Sequence, residues 1–121
     1  MSTRARGNLG EEMARKFLIK KGFKILENQF FARVGEIDIV AARRGRLHFV
    51  EVKARSSSEF GYPEEALTRT KSERVRKAVG LYLLKNRIAH QNYQIDLITV
   101  ELDWVTHRAR VQYIENAVGE W

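Results

Sequence analysis

The segment from Gly35 to Arg55, GEIDIVAARRGRLHFVEVKAR, constrains the fold more than any other part of this chain. Ile37, Ile39 and Ala41 alternate with Glu36, Asp38 and Val40, while His48, Val50, Val52 and Ala54 alternate with Phe49, Glu51, Lys53 and Arg55. A period of two is that of a β-strand, whose successive side chains point to opposite faces. Arg43-Arg44-Gly45-Arg46 interrupts both patterns, and glycine takes the positive φ of a tight hairpin turn without steric cost. With Arg44 and Gly45 as the turn, Arg43 faces Arg46. Counting back places Asp38 opposite Glu51 and Glu36 opposite Lys53, at Cβ separations of roughly 4.5–5.5 Å.

Two carboxylates directly opposed across a hairpin repel each other and destabilise the sheet. A divalent cation removes that repulsion, and hard cations such as Mg²⁺ take carboxylate and water oxygens. The plainer alternative is a solvated strand face of mixed charge, with Lys53 pairing Glu36. Against it, Val34, Val40, Leu47 and Phe49 share the parity of the charged residues. A charged cluster that interrupts an apolar face points to a site.

At 121 residues the chain is expected to form one domain, 1–121, large enough for a core without staples. Hydrophobic residues make up 44% and charged residues 31%, which excludes a disordered polyelectrolyte. The absence of cysteine rules out disulfides and thiolate metal sites and fits a reducing compartment. No apolar run is long enough to cross a bilayer and no signal-peptide core follows Met1, so a cytoplasmic protein without membrane contact is expected. A formal net charge of +7 points to a polyanionic partner.

Around the hairpin, Arg4 and Arg6 sit on an expected flexible basic arm, residues 1–7, able to touch a phosphate backbone. Asn8 caps a helix running to about Lys21, with Leu9, Met13, Ala14, Phe17 and Leu18 inward. Glu12 falls one turn before Lys16 on the polar side, whereas Glu11 lies at the margin of the apolar stripe and points toward the sheet. Phe23 to Phe31 reads as a first strand, broken at Glu27-Asn28-Gln29. Ser56 to Pro63 is a loop in which Phe60 and Tyr62 stack either on bases or on the core, and a short helical turn is expected at Glu64 to Thr68. Thr70-Lys71-Ser72-Glu73 is a capping box opening a second helix rich in Lys and Arg, including Lys71 and Arg74. Tyr93 to Leu102 and Arg108 to Ile114 form a final hairpin, followed by a tail from Glu115. The expected architecture is α/β, with a single mixed sheet and flanking helices in the order α-β-β-β-α-β-β. His48, His90 and His107 have no metal-ligand spacing, and no Gly-rich phosphate loop or nucleophile elbow occurs.

Glu11, Gly35-Glu36-Ile37-Asp38, Glu51-Val52-Lys53 and the element order resemble the PD-(D/E)xK nuclease superfamily, with isoleucine where its name has proline. The set GNxGE, GEIDIVA, FVEVKxR, a Lys-headed helix with AxxYL and a DLITV strand is similar to the YraN-like bacterial family, whose better understood relatives are archaeal Holliday-junction resolvases. The match runs from Gly7 to about Val118. The resemblance implies a restriction-endonuclease-like core and a metal-dependent endonuclease acting on DNA, including branched DNA, and is compatible with a homodimer. It implies Mg²⁺ or Mn²⁺ held by Asp38, Glu51, the Val52 carbonyl and Glu11. Lys53 would orient or deprotonate water, Glu36 would be an auxiliary acid, and Arg55 and Lys71 would contact phosphates; the basic second helix adds Arg74 as an expected phosphate contact. The competing expectation is a nucleic-acid-binding module that keeps the fold without cleaving.

Overall fold

The computed structural model describes residues 2–56, 68–88 and 92–118. Its elements are α1 (Thr3–Lys20), β1 (Lys24–Ala32), β2 (Gly35–Arg43), β3 (Arg46–Ser56), α2 (Arg69–Lys85), β4 (Tyr93–Asp103) and β5 (Arg108–Ile114), which is the expected order. The strands form one mixed sheet, β1-β2-β3-β4-β5. Neighbours are antiparallel except β3 and β4, whose connection carries α2 and brings the chain back in the same direction.

The hairpin turns where its residues require. Arg44 and Gly45 both have positive φ, 53° and 75°, as a type I′ turn demands. Arg43 pairs Arg46, and the register runs on through Ala41–His48 to Ile39–Val50. There the ladder stops, although β2 begins at Gly35 and β3 ends at Ser56. The expected Asp38–Glu51 and Glu36–Lys53 strand pairings are therefore both absent from the ladder, which ends one step before Asp38. The expected alternation fails at the same point: Ile39 and Ala41 join the core under α1, but Ile37 joins the core under α2. Across from this change, Gln29 on β1 has a φ of 57°, so the strand is irregular on both sides of Asp38.

Each helix covers one face. Under α1, Ala14 and Leu18 pack on Ile39, Val50, Ile98 and Val100; under α2, Val75, Ala78, Val79 and Tyr82 pack on Phe30, Val40 and Phe49. Gly10 sits so close to the sheet that an added Cβ would lie 2.6 Å from the Ala54 Cβ. The tail docks as well: the Ala117 N–H donates to the Ile95 carbonyl, and Val118 is buried in the α2-side core.

Some boundaries moved. Helix α1 begins at Thr3 because the Ser2 hydroxyl accepts from the Ala5 N–H at 3.1 Å, so Arg4 and Arg6 lie in helical turns rather than on a free arm. Thr68, not Thr70, caps α2, accepting from the Lys71 N–H at 3.2 Å. In β1 the irregularity is a bulge between Ile25 and Glu27, and the strand continues through the expected break. Phe60, Tyr62 and the turn expected at residues 64–67 lie outside the described residues.

One buried polar network was invisible in the sequence. Asp96 on β4 is fully buried; its carboxylate meets His48 Nδ1 at 2.7 Å, accepts from the Tyr113 hydroxyl, and takes Gln94 Nε2 and the Asn116 N–H at 2.8 Å each. It ties β3, β4, β5 and the tail together.

Candidate active site

Asp38 sits where β2 parts from β3. Its Oδ2 accepts the Val52 N–H at 2.7 Å, so the side chain takes a backbone donor of the neighbouring strand. Asp38 is 5% exposed, and its carboxyl group shares a hydrogen bond with that of Glu51. Burial pushes Asp38 up to about 7; the Val52 N–H opposes the rise, and the charges of Glu11 and Glu36 add to it. Burial pushes Glu51 up to about 8; Asp38 and Glu36 add to this, while the Lys71 ammonium opposes it. Burial also raises Glu11, where Gln29 Nε2 donates to Oε1 at 3.0 Å. Four carboxyl groups from α1, β2 and β3 thus lie close enough to act on one another.

Helix α1 aims Glu11 as its position on the helix requires. Glu12, one residue on, faces solvent and pairs with Lys16 at 3.2 Å. From the other side of the sheet, α2 and the β1–β2 turn enclose a cleft of about 610 Å³, lined by Arg33, Glu36, Glu51, Lys71 and Arg74 among others. Gly35 sets its floor: a Cβ there would approach the Arg74 Cβ to 3.3 Å, so α2 lies close on the start of β2.

The remaining expected residues fall differently. Lys53 is exposed, and among the described residues it makes no ion pair with the carboxylates. The cation acting on Glu51 is Lys71, from α2. Arg55 points inward: it is 7% exposed, with its guanidinium 2.9 Å from Glu101 on β4, because the parallel register sets those two residues side by side. That placement removes Arg55 from the surface a phosphate would reach. Val52 is brought to Asp38 by its N–H. Arg4 is exposed on α1, and Arg6 is partly buried there. Gln29 and Arg33 were missed in the sequence, where nothing marks a glutamine behind a bulge or a turn arginine as part of an acidic site.

The donor set suits a hard divalent cation. It consists of oxygen atoms, and burial raises the proton affinity of both carboxyl groups, so that a cation binding there would displace protons. Among the described residues no three acidic or histidine side chains converge on one point. Asp38 and Glu51 would therefore be the holding pair, with Glu11 and Glu36 flanking them. Mg²⁺ commonly binds this way, through one or two carboxylates, water and substrate phosphate.

The sequence profile of the uncharacterised protein family UPF0102 matches residues 10–100, a span that includes all four carboxylates, Lys53 and Lys71. The chain is 37% identical over 111 residues to a UPF0102 protein of Alkaliphilus oremlandii, covering 92% of this chain and 95% of the relative. It is 36% identical over 117 residues to one of Caldicellulosiruptor saccharolyticus, covering 97% and 99%. With one of Acetivibrio thermocellus the identity is 43% over 101 residues, covering 83% and 78%.

Proposed function

The chain belongs to the uncharacterised protein family UPF0102, and from the geometry of its own residues we propose that it is a metal-dependent endonuclease hydrolysing phosphodiester bonds in DNA. The observation that carries this reading is the pairing of buried Asp38 with half-buried Glu51 at the parting of two strands, where Glu51 lines a cleft rimmed by Lys71, Arg74 and Arg33. Acid groups facing a polyanion are unfavourable unless a cation lies between them. A binding surface alone has no use for them.

Asp38 and Glu51 would hold Mg²⁺ or Mn²⁺, which would supply a Lewis acid for the phosphoryl oxygen and lower the pKa of a bound water. The protein's own groups do the rest. The Val52 N–H fixes the Asp38 carboxylate through Oδ2. Lys71 favours the ionised form of Glu51, the form able to hold a cation. Lys71 and Arg74 line the cleft where a phosphate backbone would enter, and a chain of net charge +7 draws DNA toward it. Lys53, exposed on the same strand as Glu51 and two residues beyond it, is the group proposed to orient the attacking water. Among the described residues no helix is long and apolar enough to cross a membrane, and the cytoplasm is the proposed place of action.

The test is cleavage of duplex, single-stranded and branched DNA by the purified chain with Mg²⁺, Mn²⁺ or EDTA. Cation-dependent cutting by the wild type, abolished in Asp38→Asn and Glu51→Gln with the fold intact, is expected. DNA binding without cutting under any of these conditions would favour the non-catalytic module. Cutting that survives in Asp38→Asn would end the assignment.

A further inference from the structure

Two adjacent phenylalanines on β1 have opposite fates. Phe30 is 5% exposed and packs edge-on against Tyr82 in the α2-side core, whereas Phe31 is 68% exposed. Phe31 lies on the outer strand of the sheet and pairs with Glu36, one of the four carboxylates. Together with Arg33 it lines the carboxylate cleft and also an adjoining recess of about 300 Å³. The recess continues over Leu81 and Leu84, which are 40% and 74% exposed, to Lys85.

An aromatic face and two leucines left in water beside a charged cleft are unfavourable for an isolated chain, and such patches mark binding surfaces. The surroundings specify what fits. Arg33 and Lys85 flank the apolar surface, and Lys71 and Arg74 lead from it to Glu51. The ligand is therefore flat and apolar in one part and anionic on either side, which describes a nucleotide within a chain. A base inside continuous duplex is already stacked and cannot offer its face; an unpaired one can. A second copy of this chain fits worse, because a two-fold contact through this patch would set its arginine and lysine rim against the same cations.

We propose that the Phe31 recess holds an unpaired base beside the phosphodiester presented to Asp38 and Glu51, so that the substrate is single-stranded or locally unpaired there rather than continuous duplex. This rests on the nuclease reading. It adds a substrate class that the carboxylates alone do not specify.

The experiment is fluorescence anisotropy of the full chain in EDTA, with a labelled single-stranded oligonucleotide and with the matching blunt duplex. Phe31→Ala is expected to weaken single-strand binding by about 5- to 150-fold, the range a stacked base contributes, while duplex binding stays unchanged. Phe31→Trp should retain single-strand affinity and show quenching of the new indole on binding. Arg33→Ala should weaken both ligands alike, since phosphate contacts are blind to pairing. Equal loss on both ligands in Phe31→Ala, no loss on either, or failure of Phe31→Trp to retain affinity would overturn the proposal. So would sedimentation showing a wild-type dimer that Phe31→Ala dissolves, which would assign the patch to self-association. Asp38-dependent cleavage with single-strand affinity indifferent to Phe31 removes this inference alone. Phe31-dependent single-strand binding without any cation-dependent cleavage removes the nuclease reading and keeps the base-holding recess.

Discussion

Asp38 and Glu51 hold protons in the folded chain that the unfolded chain has already released, because burial raises both while unfolding returns them to the ordinary carboxylate range. Their contribution to stability is fully present below that range and is lost as pH rises through about 7 and about 8. Without divalent cations, wild type should therefore lose stability relative to Asp38→Asn between mildly acidic and mildly alkaline pH. Denaturant titrations at both pH values check this; parallel pH profiles for the two proteins would refute it. Mn²⁺ at alkaline pH should raise the Tm of wild type and leave Asp38→Asn unmoved. Lys71 allows a second prediction. Its charge lowers the Glu51 pKa, so Lys71→Ala should move the alkaline-going limb of cation binding to higher pH. Lys53→Ala, which removes an exposed side chain not paired with Glu51, should leave that limb in place. Isothermal titration with Mn²⁺ across pH distinguishes the two variants.

At the scale of elements, the site depends on how closely α1 approaches β3. Gly10 permits that approach, with Ala54 filling the space a methyl group would need. Gly10→Ala improves helix propensity by about 1 kcal/mol, yet its Cβ cannot be accommodated without moving backbone or the Ala54 methyl. Overpacking of this kind costs about 1–3 kcal/mol, so a net loss of stability is expected, checked by thermal or denaturant unfolding. The same displacement carries Glu11 and its hydrogen bond to Gln29 away from Asp38. Cation affinity should therefore fall in Gly10→Ala, whereas Gly7→Ala, where a Cβ meets nothing within 4 Å, should keep it. Stability equal to wild type in Gly10→Ala would show that the contact is not tight.

At the scale of the molecule, an excess of positive charge surrounds an acidic centre. The 22 lysines and arginines against 15 acidic residues give attraction for any polyanion, and α2 turns Lys71 and Arg74 into the cleft. Binding to duplex DNA should weaken steeply with salt, and Lys71→Ala or Arg74→Ala should each reduce the log–log slope by about 1. Arg55→Ala should leave the slope alone and cost stability instead, because it strands Glu101. Anisotropy titrations at several salt concentrations check both. An unchanged slope in Arg74→Ala would remove α2 from the interface.

By itself the sequence determined whatever is local or periodic. Alternation gave the strands, Gly45 after Arg44 gave the turn, and the turn gave the register from Arg43–Arg46 to Ile39–Val50. Helix spacing separated Glu11 from Glu12. Where that periodicity ends, tertiary structure decided. The ladder stops at Ile39 and Ile37 changes faces, where Gln29 on the neighbouring strand takes a positive φ and Asp38 accepts the Val52 N–H in place of regular pairing, and neither leaves a pattern in the sequence. Only the packing of α2 chose Lys71 as the charge acting on Glu51 and buried Phe30 while leaving Phe31 in water, and only the parallel β3–β4 register set Arg55 beside Glu101. These are choices between chemically identical or similar residues. Partners far apart in sequence make them, through desolvation and charge.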